Sequence, residues 1–266
     1  MTGNCHNQTY RLHNAVFARA LPVRSDLFKM FALAALTLAV LVTLFWKVGG
    51  AYAVNLRDIP DYIRVASVNA DLQSVAAYPD LFGSDEKSSS QLRAFTKWSD
   101  MFARFDRQLS SDNLAPEIIT LQTRLRPLQG QSLDQMARAV NQIMNARPYI
   151  TDSRNWGKTD YWATPLEFLK RGGDCEDYAI AKYTALKMLG VPESRLRIAI
   201  VQDQIKNIPH AVLIVYTEQG TLVLDNQNQQ ALSGDAPGRY RPIFSINRQA
   251  WWLHTDPRAT RMASAY

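Results

Sequence analysis

Gly172-Gly173-Asp174-Cys175-Glu176-Asp177-Tyr178 decides how this chain reads. The glycine pair ends one segment. Asp174 is a good helix N-cap, and Asp177, three residues on, makes a pattern much like a capping box. Tyr178, Ala181, Ala185, Met188 and Leu189 then form an apolar stripe at helical spacing, which Gly190 and Pro192 end. Cys175 therefore stands in the first turn of a helix, where free N–H groups and the helix dipole favour a thiolate. His210 and Asp225 follow in order. A thiol, an imidazole and a carboxylate are what a cysteine nucleophile requires: an attacking sulfur, a base to deprotonate it, and a group to hold the base's tautomer.

Ahead of this stretch the chain reads as helical. Leu92, Phe95, Trp98, Met101, Phe102, Phe105 and Leu109 predict an amphipathic helix over Leu92–Leu109. Pro116–Leu128 predicts a shorter one. Ser132 opens a third, striped by Leu133, Met136, Val140, Ile143 and Met144 and stopped by Pro148. Ser84–Ser90 and Thr151–Ala163 read as loops, and Thr164-Pro165 starts a short helix. Behind the cysteine helix the apolar period falls to two. Leu196–Val201, Ala211–Thr217 and Thr221–Leu224 predict strands, with Glu218-Gln219-Gly220 as a turn and Arg239–Asn247 as one more strand. Both alternating faces of Ala211–Val215 are apolar, so that strand is expected to be central. The fold class is α+β: a helical amino-terminal half and an antiparallel sheet in the carboxyl-terminal half. Strand register is critical. With Thr217 opposite Gly220, His210 and Asp225 share a face on a diagonal; with Thr217 opposite Thr221 they face apart.

The formal charge of +6 is partly local, because residues 1–29 carry Arg11, Arg19, Arg24 and Lys29 against Asp26 alone. No basic stripe remains to suggest nucleic acid. The uncharged run Met30–Trp46 behind those residues reads as a signal or membrane segment whose carboxyl side is exported, with Ala51-Tyr52-Ala53 as a cleavage candidate. Residues 1–53 are thus read as a leader and 54–266 as the folded domain, with membrane contact through the leader if it is not cleaved. Of the two cysteines, only Cys175 lies beyond the leader, so the exported part can form no internal disulfide. Asp174, Glu176 and Asp177 crowd negative charge around it. They act as helix-start caps, or they share a cation, with Asp152 and Asp160 of the preceding loop able to complete an oxygen shell.

A cysteine on a helix, then a histidine on one strand and an aspartate on the next is the papain-like and transglutaminase-like order. The runs Asp160–Leu169, Gly173–Tyr183 and Leu189-Gly190-Val191-Pro192 narrow it. So do His210-Ala211-Val212-Leu213, Leu222–Asn226 and Pro242–Asn247. Together they resemble the bacterial transglutaminase-like cysteine proteinases over roughly residues 78–252. The resemblance implies Cys175 as nucleophile, His210 as general base and Asp225 as its orienter. It implies calcium held by Asp174 and Glu176, with Asp177 standing between a third ligand and a cap. It further implies a periplasmic enzyme whose substrate is a large surface adhesin, cut near its amino end, and whose inhibitor is an inner-membrane receptor for cyclic di-GMP. Asn207-Ile208-Pro209 departs from the polar lead-in to the histidine that the family suggests, which bears on substrate preference. Two other functions fit the same residues: acyl transfer to an amine, as in a transglutaminase, and a non-catalytic calcium-binding receptor partner. Trp156 or Trp162 could offer an indole N–H to an oxyanion. Trp251, Trp252 and His254 are read as packing or interfacial residues.

Overall fold

Folding is organised around one enclosed helix. The computed structural model describes residues 79–110, 114–234 and 238–256. In chain order the elements are β1 (Asp85–Ser89), α1 (Thr96–Leu109), α2 (Pro116–Leu125), α3 (Leu133–Asn145), α4 (Asp152–Trp156), α5 (Pro165–Arg171) and α6 (Cys175–Met188). The strands β2 (Leu196–Asp203), β3 (Ile208–Thr217), β4 (Gly220–Leu224), β5 (Leu232–Ser233), β6 (Tyr240–Ile246) and β7 (Trp251–Thr255) follow. The Met30–Trp46 segment, its cleavage candidate and the stretch up to Tyr78 lie outside the described residues. No helix among the described residues is long and apolar enough to cross a membrane.

Local chemistry sets the helix starts. Ser132 Oγ accepts from Gln135 N, and Gln135 Oε1 accepts from Ser132 N, which caps α3 from both directions. Thr164 and Glu167 do the same for α5 at 3.1 and 2.7 Å, and Pro165 fills the first helical position, where a missing N–H costs nothing. Arg104 of α1 then pairs with Glu167 at 2.8 Å, fastening the first helix to the segment that leads into Cys175.

Helix α6 is buried on every side from Asp177 to Leu186, including Lys182. The single stripe expected from spacing is therefore too narrow. The helix packs on β3 and β2 on one side and on α2, α3 and α5 on the other, so apolar positions are enclosed from both directions.

All seven strands form one antiparallel sheet in the order β1-β7-β6-β2-β3-β4-β5. The expected strands are present, with β3 inside the sheet as its double apolar pattern requires. Leu213 and Val215 face the helical core. Val212, Ile214 and Tyr216 face a smaller cluster with Leu81, Val223 and Tyr240. Thr217 pairs with Gly220 and Leu213 with Leu224, the register that places His210 and Asp225 on one face.

Two expectations fail. Ser84–Ser90, read as a loop, holds β1, which pairs along β7; its polar sequence hid it because an edge strand is stabilised by its partner. Trp251–Thr255 is that partner. Arg197 stacks on Trp252 at 3.8 Å and pairs with Glu86 at 2.8 Å, while His254 bridges Ser84 and Ser245 at 2.9 Å each. The Thr151–Ala163 loop also contains the short helix α4.

Gly172 makes the turn between α5 and α6 possible. Its φ of 82° and ψ of −168° lie in a region open essentially to glycine, and a Cβ there would fall 2.2 Å from the Pro148 carbonyl oxygen. Gly157 has φ 65° and ψ 23°, with open space around its missing Cβ. Gly172→Ala is expected to cost about 3 kcal/mol or more, backbone strain and overlap together. Gly157→Ala should cost only about 1–2 kcal/mol. Urea denaturation of both variants checks the ranking, and equal losses would contradict it.

Candidate active site

The amino end of α6 meets the sheet where β3 begins and β4 ends. Cys175 is the first residue of α6 and is half-buried. Its Sγ lies 3.1 Å from Glu176 Oε2, with the backbone N–H of Ala211, the residue after His210, near enough to favour its charged form. Burial, then the Glu176 and Asp174 charges, push the thiol well above its ordinary range, and the Ala211 N–H pulls the other way. Burial and the two carboxylates thus oppose the thiolate that the helix position favours.

His210 and Asp225 are brought together. Nε2 lies 2.8 Å from Asp225 Oδ1, with both side chains almost wholly buried. The pairing follows from the register: Asp225, one residue past Leu224, falls opposite Val212, and His210 is the next residue on that face. Asp225 accepts further bonds from Gln227 N (2.9 Å), Asn228 Nδ2 (2.6 Å), Tyr240 Oη (2.7 Å) and Arg239 Nη2 (3.3 Å). Burial raises its pKa, but these donors, His210 foremost, overcome that and hold the carboxyl well below the usual range. Lys182 lies beneath, with Nζ 3.5 Å from the Leu224 carbonyl; burial brings its ammonium down to about 7.

The acidic residues divide into two groups. Asp152, Asp174 and Glu176 each place one carboxylate oxygen within 4.8 Å of the others. Asp177 is not among them. It is fully buried, its Oδ1 accepts from Ala163 N at 2.7 Å and its Oδ2 from Asp174 N at 3.3 Å, so it anchors the preceding loop and the helix start. Asp160 is ion-paired with Lys97 at the surface. Asp152 Oδ2 accepts from Tyr161 N, whereas Asp152 Oδ1 and Asp174 Oδ1 are buried and accept no hydrogen bond among the described residues. Burial, then the charges of Glu176 and Asp177, drive the Asp174 carboxyl up to about 9, and burial drives Asp177 up to about 8. Such a group is under strain at neutral pH and suits a cation held by oxygen atoms.

Of the two tryptophans, Trp162 packs edge-on against Trp98 in the core. Trp156 lies against Tyr161 and beneath Arg171, with its Nε1 buried and without an acceptor among the described residues. A cavity of about 180 Å³ on the helical side is lined by Leu121, Ile143, Met144 and Leu169 among others, and none of Cys175, His210 or Asp225 lines it. Sequence reasoning missed Asn228, Arg239 and Tyr240 as partners of Asp225. Only Asn228 lies close to it in the chain, and a polar turn after a strand is too common to single it out.

Comparison with known proteins bears on this arrangement. Residues 101–259 match the family model described as bacterial transglutaminase-like cysteine proteinase. The sequence matches no curated protein. Among solved structures, Legionella pneumophila LapG in a calcium-bound form is 30% identical, with 58% of this chain and 86% of that chain covered and a TM-score of 0.48. An EGTA-treated form of the same Legionella protein is 28% identical, with 60% and 91% covered and a TM-score of 0.47. Because the family model spans more than half of its length, the chain belongs to the bacterial transglutaminase-like cysteine proteinases and is a cysteine protease.

Proposed function

We propose that the chain is a calcium-dependent endopeptidase in which Cys175 attacks the peptide carbonyl, His210 carries the proton and Asp225 orients the imidazole. The 2.8 Å contact between His210 Nε2 and Asp225 Oδ1 carries this reading. With Nε2 engaged, Nδ1 is the nitrogen left to take the thiol proton. The sulfur adds to the carbonyl carbon, the C–N bond breaks, and the imidazolium returns its proton to the departing amine. Water, deprotonated by the same nitrogen, then cleaves the thioester and restores the thiol.

The donor set fits calcium. Asp152, Asp174 and Glu176 supply only oxygens, and two of those oxygens are buried without donors among the described residues. These three would hold the ion, with Asp177 bracing the helix start behind them. When bound, calcium supplies positive charge beside the sulfur that offsets the two carboxylates. The Legionella protein that is 30% identical to this chain is described as calcium-bound. In this reading the enzyme works in the periplasm, exported by the Met30–Trp46 segment. Its substrate is a large surface adhesin, cut near the amino end and so released, which promotes biofilm dispersal. An inner-membrane cyclic di-GMP receptor sequesters the enzyme.

Three outcomes test the proposal. Purified Cys175→Ala should lose all cleavage of an adhesin amino-terminal fragment while its stability changes by less than about 1.5 kcal/mol, since little volume is lost. Wild-type cleavage by that variant would end the reading, and product linked to an added amine would favour acyl transfer.

The second outcome concerns pH. The raised Asp174 and Asp177 pKa values, about 9 and about 8, give stability that is complete below the ordinary carboxylate range near 3.8 and is lost as pH rises through them. Lys182, held down to about 7, has the opposite sign but acts only from about that pH upward. Melting temperature in EGTA should therefore fall from pH about 4 to about 7, and calcium should remove the fall by an increment that grows with pH. Identical profiles with and without calcium would reduce the carboxylates to caps. Third, an alkaline phosphatase fused after Tyr266 should be active in cells, and an inactive fusion would contradict export.

A further inference from the structure

The contacts around Asp225 are unequal in origin. Gln227 N and Asn228 Nδ2 belong to the same turn as Asp225 and move with it. Arg239 Nη2 is longer, at 3.3 Å, and is shared with Asp203 at 3.5 Å. The Tyr240 hydroxyl is different. It comes from β6, separated from β4 in the sheet by β2 and β3, and it reaches Oδ2 at 2.7 Å. Its backbone pairs with Asp203 of β2, and its ring, 7% exposed, packs on Phe82 with centroids 5.7 Å apart. Tyr240 is thus fixed to the sheet that carries His210, and it holds the oxygen that His210 does not use.

We propose that Tyr240 is a positioning residue: its hydroxyl pins Asp225 Oδ2, so that Oδ1 is presented to His210 and keeps the imidazole in its Nε2–H tautomer. This inference rests on the reading of His210 as base and Asp225 as its orienter. A carboxylate held only by its own turn can rotate about its Cβ–Cγ bond, and the tautomer is then no longer set by one fixed acceptor. Burial and the Asp225 charge raise the Tyr240 pKa, so the phenol stays protonated and remains a donor. The other charged groups around the carboxylate are Lys182 from α6 and Arg239 ahead of β6, with Asp203 of β2 behind Arg239. Neither cation offers a neutral, directional hydroxyl in its place.

Imidazole ¹⁵N chemical shifts of the full-length protein test this, with His210 assigned by its absence in His210→Gln. Wild type should show the Nε2–H tautomer in large excess. Tyr240→Phe, which removes one oxygen and keeps the ring against Phe82, should raise the Nδ1–H population about fivefold or more. A cooperative melting curve confirms that the variant is folded, and Tyr240→Gln, which keeps a donor, should recover part of the wild-type preference. If Asp225→Asn changes the tautomer and folded Tyr240→Phe does not, the positioning role is overturned while the Asp225 assignment stands. If neither variant changes it, both fall together.

Discussion

Everything in this fold follows from a helix with no wet face. From Asp177 to Leu186 every residue of α6 is buried, so helices must close over one side of it and strands over the other. Its amino end is left half-buried, because Gly172 and Gly173 bring the chain in past Pro148 with no side chain in the way. The first residue of that end is Cys175. A thiol at the end of an otherwise enclosed helix has fixed geometry, since the helix cannot roll without exposing apolar surface on one side and clashing on the other. The same burial, worth about 25 cal/mol per Å² of apolar surface, is what holds a strained acidic cluster beside the sulfur.

Charge around the site is arranged in two opposed ways. At Asp225 every oxygen meets a donor, and a buried carboxylate stays ionised with its pKa held low. At Asp174, the residue just before Cys175, a buried oxygen meets none and the pKa is driven up to about 9. One carboxylate is satisfied by the protein, while the other is left to be satisfied from outside. That contrast separates a carboxylate paired with an imidazole from one suited to a cation, though both are aspartates at element ends.

Much of this was legible in the sequence. The capping pattern of Ser132/Gln135 and Thr164/Glu167 is local, so the helix starts could be read directly. Glu218-Gln219-Gly220 and a period of two marked the hairpin, but they allowed two registers; the meeting of His210 and Asp225 required the one with Thr217 opposite Gly220, and that register is present. Strand β1 was hidden because Asp85–Ser89 is polar and becomes a strand only by pairing with β7, far away in the chain.

The sequence by itself determined the residue types, their order and the local turns: a cysteine at a helix start, a histidine and an aspartate on adjoining strands, and acids around the thiol. Those depend on interactions over three or four positions, which spacing records. Tertiary structure alone decided which acids gather. Asp152 joins Asp174 and Glu176 because α4 folds back toward α6, whereas Asp177 turns inward to the Ala163 and Asp174 N–H groups. It alone brought Tyr240 to Asp225 and set burial and two carboxylates against the Cys175 thiolate. These outcomes depend on through-space distance and burial, and neither is a function of separation along the chain.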